Sequence, residues 1–130
     1  MWYGLPALGV DISRYKPQAV QIRIIDLFGS VLFAPIVETM LLAFGLRILS
    51  RIAKRTVPLA VLSALIWGAI HGLLAATRFA GTAWSFFIFS IAYLTWRDLG
   101  RTRAFAACAI PHALLNLFAL VLLPFGVQSA

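Results

Sequence analysis

Four long runs of apolar residues constrain this chain more than any other feature of its sequence. They cover residues 24–46, 57–76, 79–96 and 104–127. About 20 apolar residues cross the hydrocarbon core of a bilayer as a helix, so each run is long enough to span. Hydrophobic residues make up 62% of the chain and charged residues 12%, against about 45–50% and about 25% in ordinary soluble domains. We therefore predict an all-α membrane protein with four transmembrane helices in a single bundle.

The chain divides into two parts of different composition. Residues 1–21 mix glycine, proline and charged residues with Trp2, Tyr3 and Tyr15, a composition typical of a segment at the membrane interface. They lack the basic start and long apolar core of a signal peptide. We predict an interfacial N-terminal segment over residues 1–21 and a four-helix transmembrane domain over residues 22–130.

The net charge of +7 reflects 11 Lys and Arg against 4 Asp and Glu. In a soluble protein this excess would suggest nucleic acid, but in a membrane protein basic residues collect at cytoplasmic helix ends. Seven of them lie in the loops at 47–55 and 97–103, and four lie on the other side. We expect a multi-pass protein of the bacterial inner (plasma) membrane with these basic loops cytoplasmic, partnered by the lipid bilayer and not by nucleic acid.

Four ionisable or amide side chains remain at membrane depth inside the predicted spans, while Asp26 lies near the start of the first span. The four are Glu38, His71, His112 and Asn116. A charged group at the bilayer centre costs at least about 2.5–3.5 kcal/mol on insertion scales, and such groups normally face the bundle interior and mark function. His112 and Asn116 are four residues apart and so share one helix face. Because the four come from three different helices, we expect them to converge.

These residue types favour hydrolysis. A carboxylate can act as general base on a water molecule, two imidazoles can hold a zinc ion or polarise that water, and an amide can donate to an oxyanion. We predict Glu38, His71, His112 and Asn116 as catalytic residues, with His71 and His112 as ligands if zinc is the cofactor. The structural alternative is a set of interhelical hydrogen bonds worth about 0.6 kcal/mol each.

Other features of the spans are interpreted as packing. Gly68 and Gly72 are spaced for a close helix contact, and Cys108 lies in an apolar run. The aromatic residues of the third span, from Trp84 to Trp96, are interpreted as lipid-facing bulk and interface anchors.

Three motifs resemble those of a known family. They are residues 34–38, ending in Glu38; residues 67–71, from Trp67 to His71; and residues 111–116, containing His112 and Asn116. Together they resemble the CPBP intramembrane proteases, also called the Abi or CAAX-protease family, over about residues 28–120. The resemblance implies a CPBP-like helical core. It also implies a metalloprotease-type endopeptidase that cuts a peptide or membrane-protein substrate near the membrane surface, with Glu38 activating the water.

The chain departs from the family pattern at three positions. Thr39 stands where the family has a second Glu, Ala43 replaces the usual Arg, and Trp67 replaces a Phe. The chain is also short for the family. These departures leave an alternative open: a catalytically inactive protein of the same fold, acting as a small subunit or stabilising partner of a larger membrane complex.

Overall fold

The computed structural model describes residues 24–126, with side chains to residue 121. The helices are α1 (Ile24–Leu27), α2 (Ala34–Leu49), α3 (Thr56–Leu74), α4 (Arg78–Trp96) and α5 (Arg101–Gly126), with a π-helix at Phe28–Phe33 between α1 and α2 and a 3₁₀ turn at Arg97–Leu99. No strand occurs within the described range. The predicted interfacial segment, residues 1–21, lies outside it.

Four helical stretches are long and apolar enough to cross a membrane within the described part of the chain. They are Ile24–Leu49, Thr56–Leu74, Arg78–Leu99 and Arg101–Val121. The prediction of an all-α membrane protein with four spans is confirmed. The division of the chain at residue 21 stays a prediction.

The large apolar side chains on the outside of the bundle show what surrounds it. Ile24, Leu73 and Leu74 are 85%, 89% and 77% exposed. In water such a surface would aggregate, but lipid is as apolar as these side chains and there is no cost in leaving them outward. This surface identifies an integral membrane protein.

The core is a narrow seam between the helices. Its buried members from four helices are Leu42, Leu46, Leu59, Ala60, Phe86, Phe89, Leu94 and Cys108. Two polar contacts cross the seam: the hydroxyl of Ser90 donates to that of Ser63 at 2.9 Å, and the Thr39 hydroxyl contacts the Cys108 sulfur at 3.5 Å. Cys108 is therefore a packing residue, as predicted.

Helices α3 and α4 make the most extensive pair in the bundle, and small residues explain their closeness. A Cβ added at Gly68 would lie 2.8 Å from the Cβ of Ala83, and one at Gly72 would lie 3.3 Å from the Cβ of Phe79. Any larger side chain at Gly68 would force the two helices apart. The predicted packing role of both glycines is confirmed.

The connection between α4 and α5 is short and consists of the 3₁₀ turn and Gly100. Gly100 has a φ of 127°, a conformation that side-chain-bearing residues rarely adopt. It lets the chain leave the 3₁₀ turn and start α5 at once. The end of α4 and the start of α5 therefore meet. The end of α2 lies at the same end of the bundle, because Arg47, Arg97 and Arg101 line one cavity.

The orientation of the bundle can be tested by cysteine labelling. Ile52 lies in the loop after α2 and Thr77 in the loop before α4, and both are exposed. If the basic loops are cytoplasmic, a membrane-impermeant maleimide should label Thr77→Cys in intact cells, and Ile52→Cys only after permeabilisation. Both substitutions leave the charge bias intact.

The parent protein supplies the control, because Cys108 is only 1% exposed and should stay unlabelled in both conditions. Labelling of Ile52→Cys in intact cells together with protection of Thr77→Cys would reverse the orientation.

Candidate active site

The side chain of Glu38 lies beside that of His112 in the interior of the bundle. Glu38 is on α2 and His112 is on α5. The distance from Oε2 of Glu38 to Nε2 of His112 is 3.4 Å. The His112 side chain is 6% exposed and the Glu38 side chain 25% exposed. The imidazole is thus enclosed by protein, while the carboxylate keeps an open side.

This pair lines a cavity of about 470 Å³ that also holds the other two predicted residues, His71 and Asn116. We call it the polar cavity. Its remaining wall includes Phe86, Phe89 and Arg78 of α4. All four side chains that the sequence places at membrane depth therefore face one cavity, as expected from their positions on three spans.

His71 is held in a defined orientation by its own helix. Its Nδ1 lies 3.0 Å from the carbonyl oxygen of Trp67, one turn earlier. A carbonyl can only accept, so Nδ1 carries the hydrogen and Nε2 is left with its lone pair in the neutral ring. In that neutral form, His71 presents a hydrogen-bond acceptor at Nε2.

Aromatic rings fix both imidazoles. Phe89 stacks on the His112 ring with centroids 4.7 Å apart, and Phe86 meets it edge-on at 5.6 Å. Phe86 also lies 5.8 Å from the His71 ring and stacks on Trp67 at 4.5 Å. A single phenyl ring thus separates and orients the two histidines.

The sequence-based interpretation of the α4 aromatics is wrong for Phe86 and Phe89, because both are buried and contact the site. It suits Trp84 and Trp96, which are 68% and 45% exposed. The spacing of Phe86, Phe89 and Ser90 along one helix face is the signal that could have separated the two groups.

Asn116 is bound to the backbone of the first span. Its side-chain Nδ2 donates to the carbonyl oxygen of Ser30 at 2.8 Å. Ser30 lies in the π-helix, where each N–H donates to the carbonyl five residues earlier, as Ala34 does to Gly29. The next donor in this register would be residue 35, which is proline and has no N–H. Pro35 therefore leaves the Ser30 carbonyl without a backbone donor, and the Asn116 amide supplies the missing hydrogen bond.

Two of the three positions where the chain departs from the CPBP pattern lie on α2, and neither lines the polar cavity. Thr39 is fully buried with its hydroxyl against Cys108. Ala43 lines a second cavity nearer the end of α2. Consequently α2 contributes one carboxylate to the polar cavity.

The described side chains contain no group of three or more His, Cys, Asp or Glu residues arranged to hold a metal ion. Nε2 of His112 already faces the Glu38 carboxylate, and His71 offers a single nitrogen. A catalytic zinc site normally has three protein ligands. The arrangement does not fit that pattern, and the zinc predicted from the sequence stays a prediction.

The fold and the cavity define a class: a multi-pass helical membrane protein with acid, imidazole and amide groups gathered inside the bundle. The model of one family, Type II CAAX prenyl endopeptidase Rce1-like, matches residues 20–118. The chain belongs to this family of CAAX-type intramembrane endopeptidases. The matched segment contains Glu38, His71, His112 and Asn116. No curated protein and no solved structure matches the chain.

The contact between Asn116 and Ser30 can be tested by a double-mutant cycle. Asn116→Ala should lower the free energy of unfolding in detergent by about 1 kcal/mol, because it leaves the Ser30 carbonyl without its donor. Pro35→Ala restores a backbone N–H at position 35. In the Pro35→Ala background the cost of Asn116→Ala should shrink. Equal costs in both backgrounds would show that the two residues are not coupled through this carbonyl.

Proposed function

We propose that this protein hydrolyses a peptide bond near the membrane surface and that Glu38 activates the attacking water. The observation that carries the proposal is the contact between Glu38 and His112 on the wall of a polar cavity within the bundle. A carboxylate placed at this depth is costly, and its open side faces the space where a substrate and a water molecule would meet.

The separation of 3.4 Å between Glu38 and His112 is longer than a tight hydrogen bond. His112 thus orients the carboxylate without occupying its full acceptor capacity. Catalytic hydrogen bonds are often long in a free enzyme and tighten when substrate binds. Glu38 keeps an oxygen that can accept a proton from water.

The proposed reaction uses each group in one role. Glu38 takes a proton from water as the water oxygen attacks the carbonyl carbon of the scissile bond. It returns that proton to the leaving nitrogen as the carbon–nitrogen bond breaks. Nε2 of His71 accepts a second hydrogen bond from the water, and the remaining N–H of Asn116 donates to the oxyanion. One proton of the water thus ends on the leaving nitrogen, and the other stays with the new carboxyl group.

The substrate that the family suggests is the C-terminal region of a prenylated protein, and the proposed location is the bacterial inner membrane. Arg78 supports an anionic substrate because it places a cation on the wall of the polar cavity. A free C-terminal carboxylate provides the matching charge.

A catalytically inactive subunit of a larger membrane complex is the second candidate. It is favoured by Thr39, which stands where the CPBP pattern has a second carboxylate and is buried against Cys108. Failure of the purified protein to cleave any prenylated peptide, together with co-purification of a fixed membrane partner, would support this candidate.

Glu38→Gln tests the proposed base. The amide keeps the size of the side chain but cannot accept the proton, so cleavage of a prenylated peptide in liposomes should fall by about 10²–10⁴. Asp98→Asn is the matched control, since it makes the same change at an exposed carboxylate outside the cavity. Thermal unfolding should show that both variants remain folded. Full activity in Glu38→Gln would contradict the role of Glu38 as base.

Metal analysis tests the zinc prediction in the same preparations. If His71 and His112 hold zinc, purified active protein should contain about one ion per chain, and His71→Ala and His112→Ala should each lose it. An active preparation with a content near zero would contradict the prediction and leave the proton transfer by Glu38 as the source of the activated water.

A further inference from the structure

A second cavity, of about 400 Å³, lies at the opposite end of the bundle from Arg78. Along α4 the polar cavity is lined by residues from Arg78 to Phe89, whereas the second cavity is lined by Tyr93 and Leu94 near the end of the helix. No residue lines both cavities. The two cavities are therefore different sites.

Three arginines from separate elements line this second cavity, which we call the basic cavity. Arg47 comes from the last turn of α2, Arg97 from the 3₁₀ turn, and Arg101 from the first residue of α5. Three arginines around one cavity suit the oxygens of a phosphate, which guanidinium groups bind in a forked geometry. The start of α5 adds its own partial positive charge.

The acidic neighbour of this cluster does not neutralise it. Asp98 contacts Arg97, with Nε and Oδ1 3.6 Å apart, and its side chain is 87% exposed. Arg47 and Arg101 have no ion-pair partner among the described residues. The basic cavity thus keeps a net positive charge.

The wall of the basic cavity also has an apolar part that reaches the outer face of the bundle. Leu46 and Leu94 line the cavity and are buried, while Phe44 lines the cavity and is also 63% exposed. The phenol of Tyr93 adds a polar group to the wall. In a ligand that carries both a phosphate and an acyl chain, the phosphate would contact the arginines and the acyl chain would contact Phe44.

We propose that the basic cavity binds the phosphate of an anionic phospholipid at the membrane surface. A free phosphate shares the charge chemistry, but it would leave the exposed Phe44 wall unused. Basic pockets between transmembrane helices bind lipid headgroups in this way. The site is independent of peptide cleavage, so its test needs no activity.

The experiment compares lipids and paired variants. Wild-type protein is reconstituted in phosphatidylcholine vesicles with and without the anionic lipid phosphatidylglycerol. Native mass spectrometry measures retained lipid, and thermal unfolding measures stabilisation. We expect phosphatidylglycerol to be retained and to stabilise the protein. No preference of the wild type for phosphatidylglycerol over phosphatidylcholine would overturn the proposal.

Two double variants remove the same charge from different places. Arg47→Gln with Arg101→Gln empties the basic cavity of two arginines, and retention of phosphatidylglycerol should weaken by roughly thirtyfold. Arg51→Gln with Arg55→Gln is the matched control, because both residues are exposed loop residues outside the cavity. The control should retain phosphatidylglycerol like the wild type.

Equal loss in both double variants would show a diffuse attraction between the basic end and the membrane, and would overturn the site. Inorganic phosphate in phosphatidylcholine vesicles is the last arm. It should leave the unfolding temperature unchanged, and stabilisation equal to that by phosphatidylglycerol would overturn the assignment to a lipid.

Discussion

The cost of a charged group inside a bilayer is the constraint on which the arrangement of this protein depends. A carboxylate at the centre of a span costs at least about 2.5–3.5 kcal/mol, and Glu38 avoids part of that cost by facing His112 across the bundle interior. This contact ties α2 to α5. Every buried side-chain nitrogen and oxygen among the described residues has a hydrogen-bond partner, so the polar groups that remain in the membrane are those that the bundle can satisfy.

The need to pair every polar group inside the bilayer also constrains the backbone of the first span. Pro35 removes a donor from the helix, the chain passes through a π-helix at Phe28–Phe33, and the Ser30 carbonyl takes its hydrogen bond from Asn116. An unpaired carbonyl is not tolerated in lipid. The irregular backbone is therefore stable only where α5 packs against it, and this fixes the helix that carries both His112 and Asn116. The fold and the polar cavity depend on one another.

Much of this arrangement can be predicted from sequence because hydropathy depends on local composition. The four spans and the convergence of Glu38, His71, His112 and Asn116 follow from their placement in apolar runs. The π-helix does not, since the partner of the Ser30 carbonyl is 86 residues away along the chain. The burial of Phe86 and Phe89 does not follow from the sequence either, because an aromatic ring suits lipid and protein interior equally. Only the packing of α4 on α3 and α5 decides between them.

We propose that water activated in the polar cavity cleaves a peptide bond. The most direct measurement uses purified wild-type protein in liposomes with a synthetic prenylated peptide ending in a CAAX sequence, incubated in water enriched in ¹⁸O. Mass spectrometry of the product should find a shortened peptide whose new carboxyl group carries a single ¹⁸O atom. An intact peptide after prolonged incubation, or a shortened product without ¹⁸O in its new carboxyl group, would contradict the account.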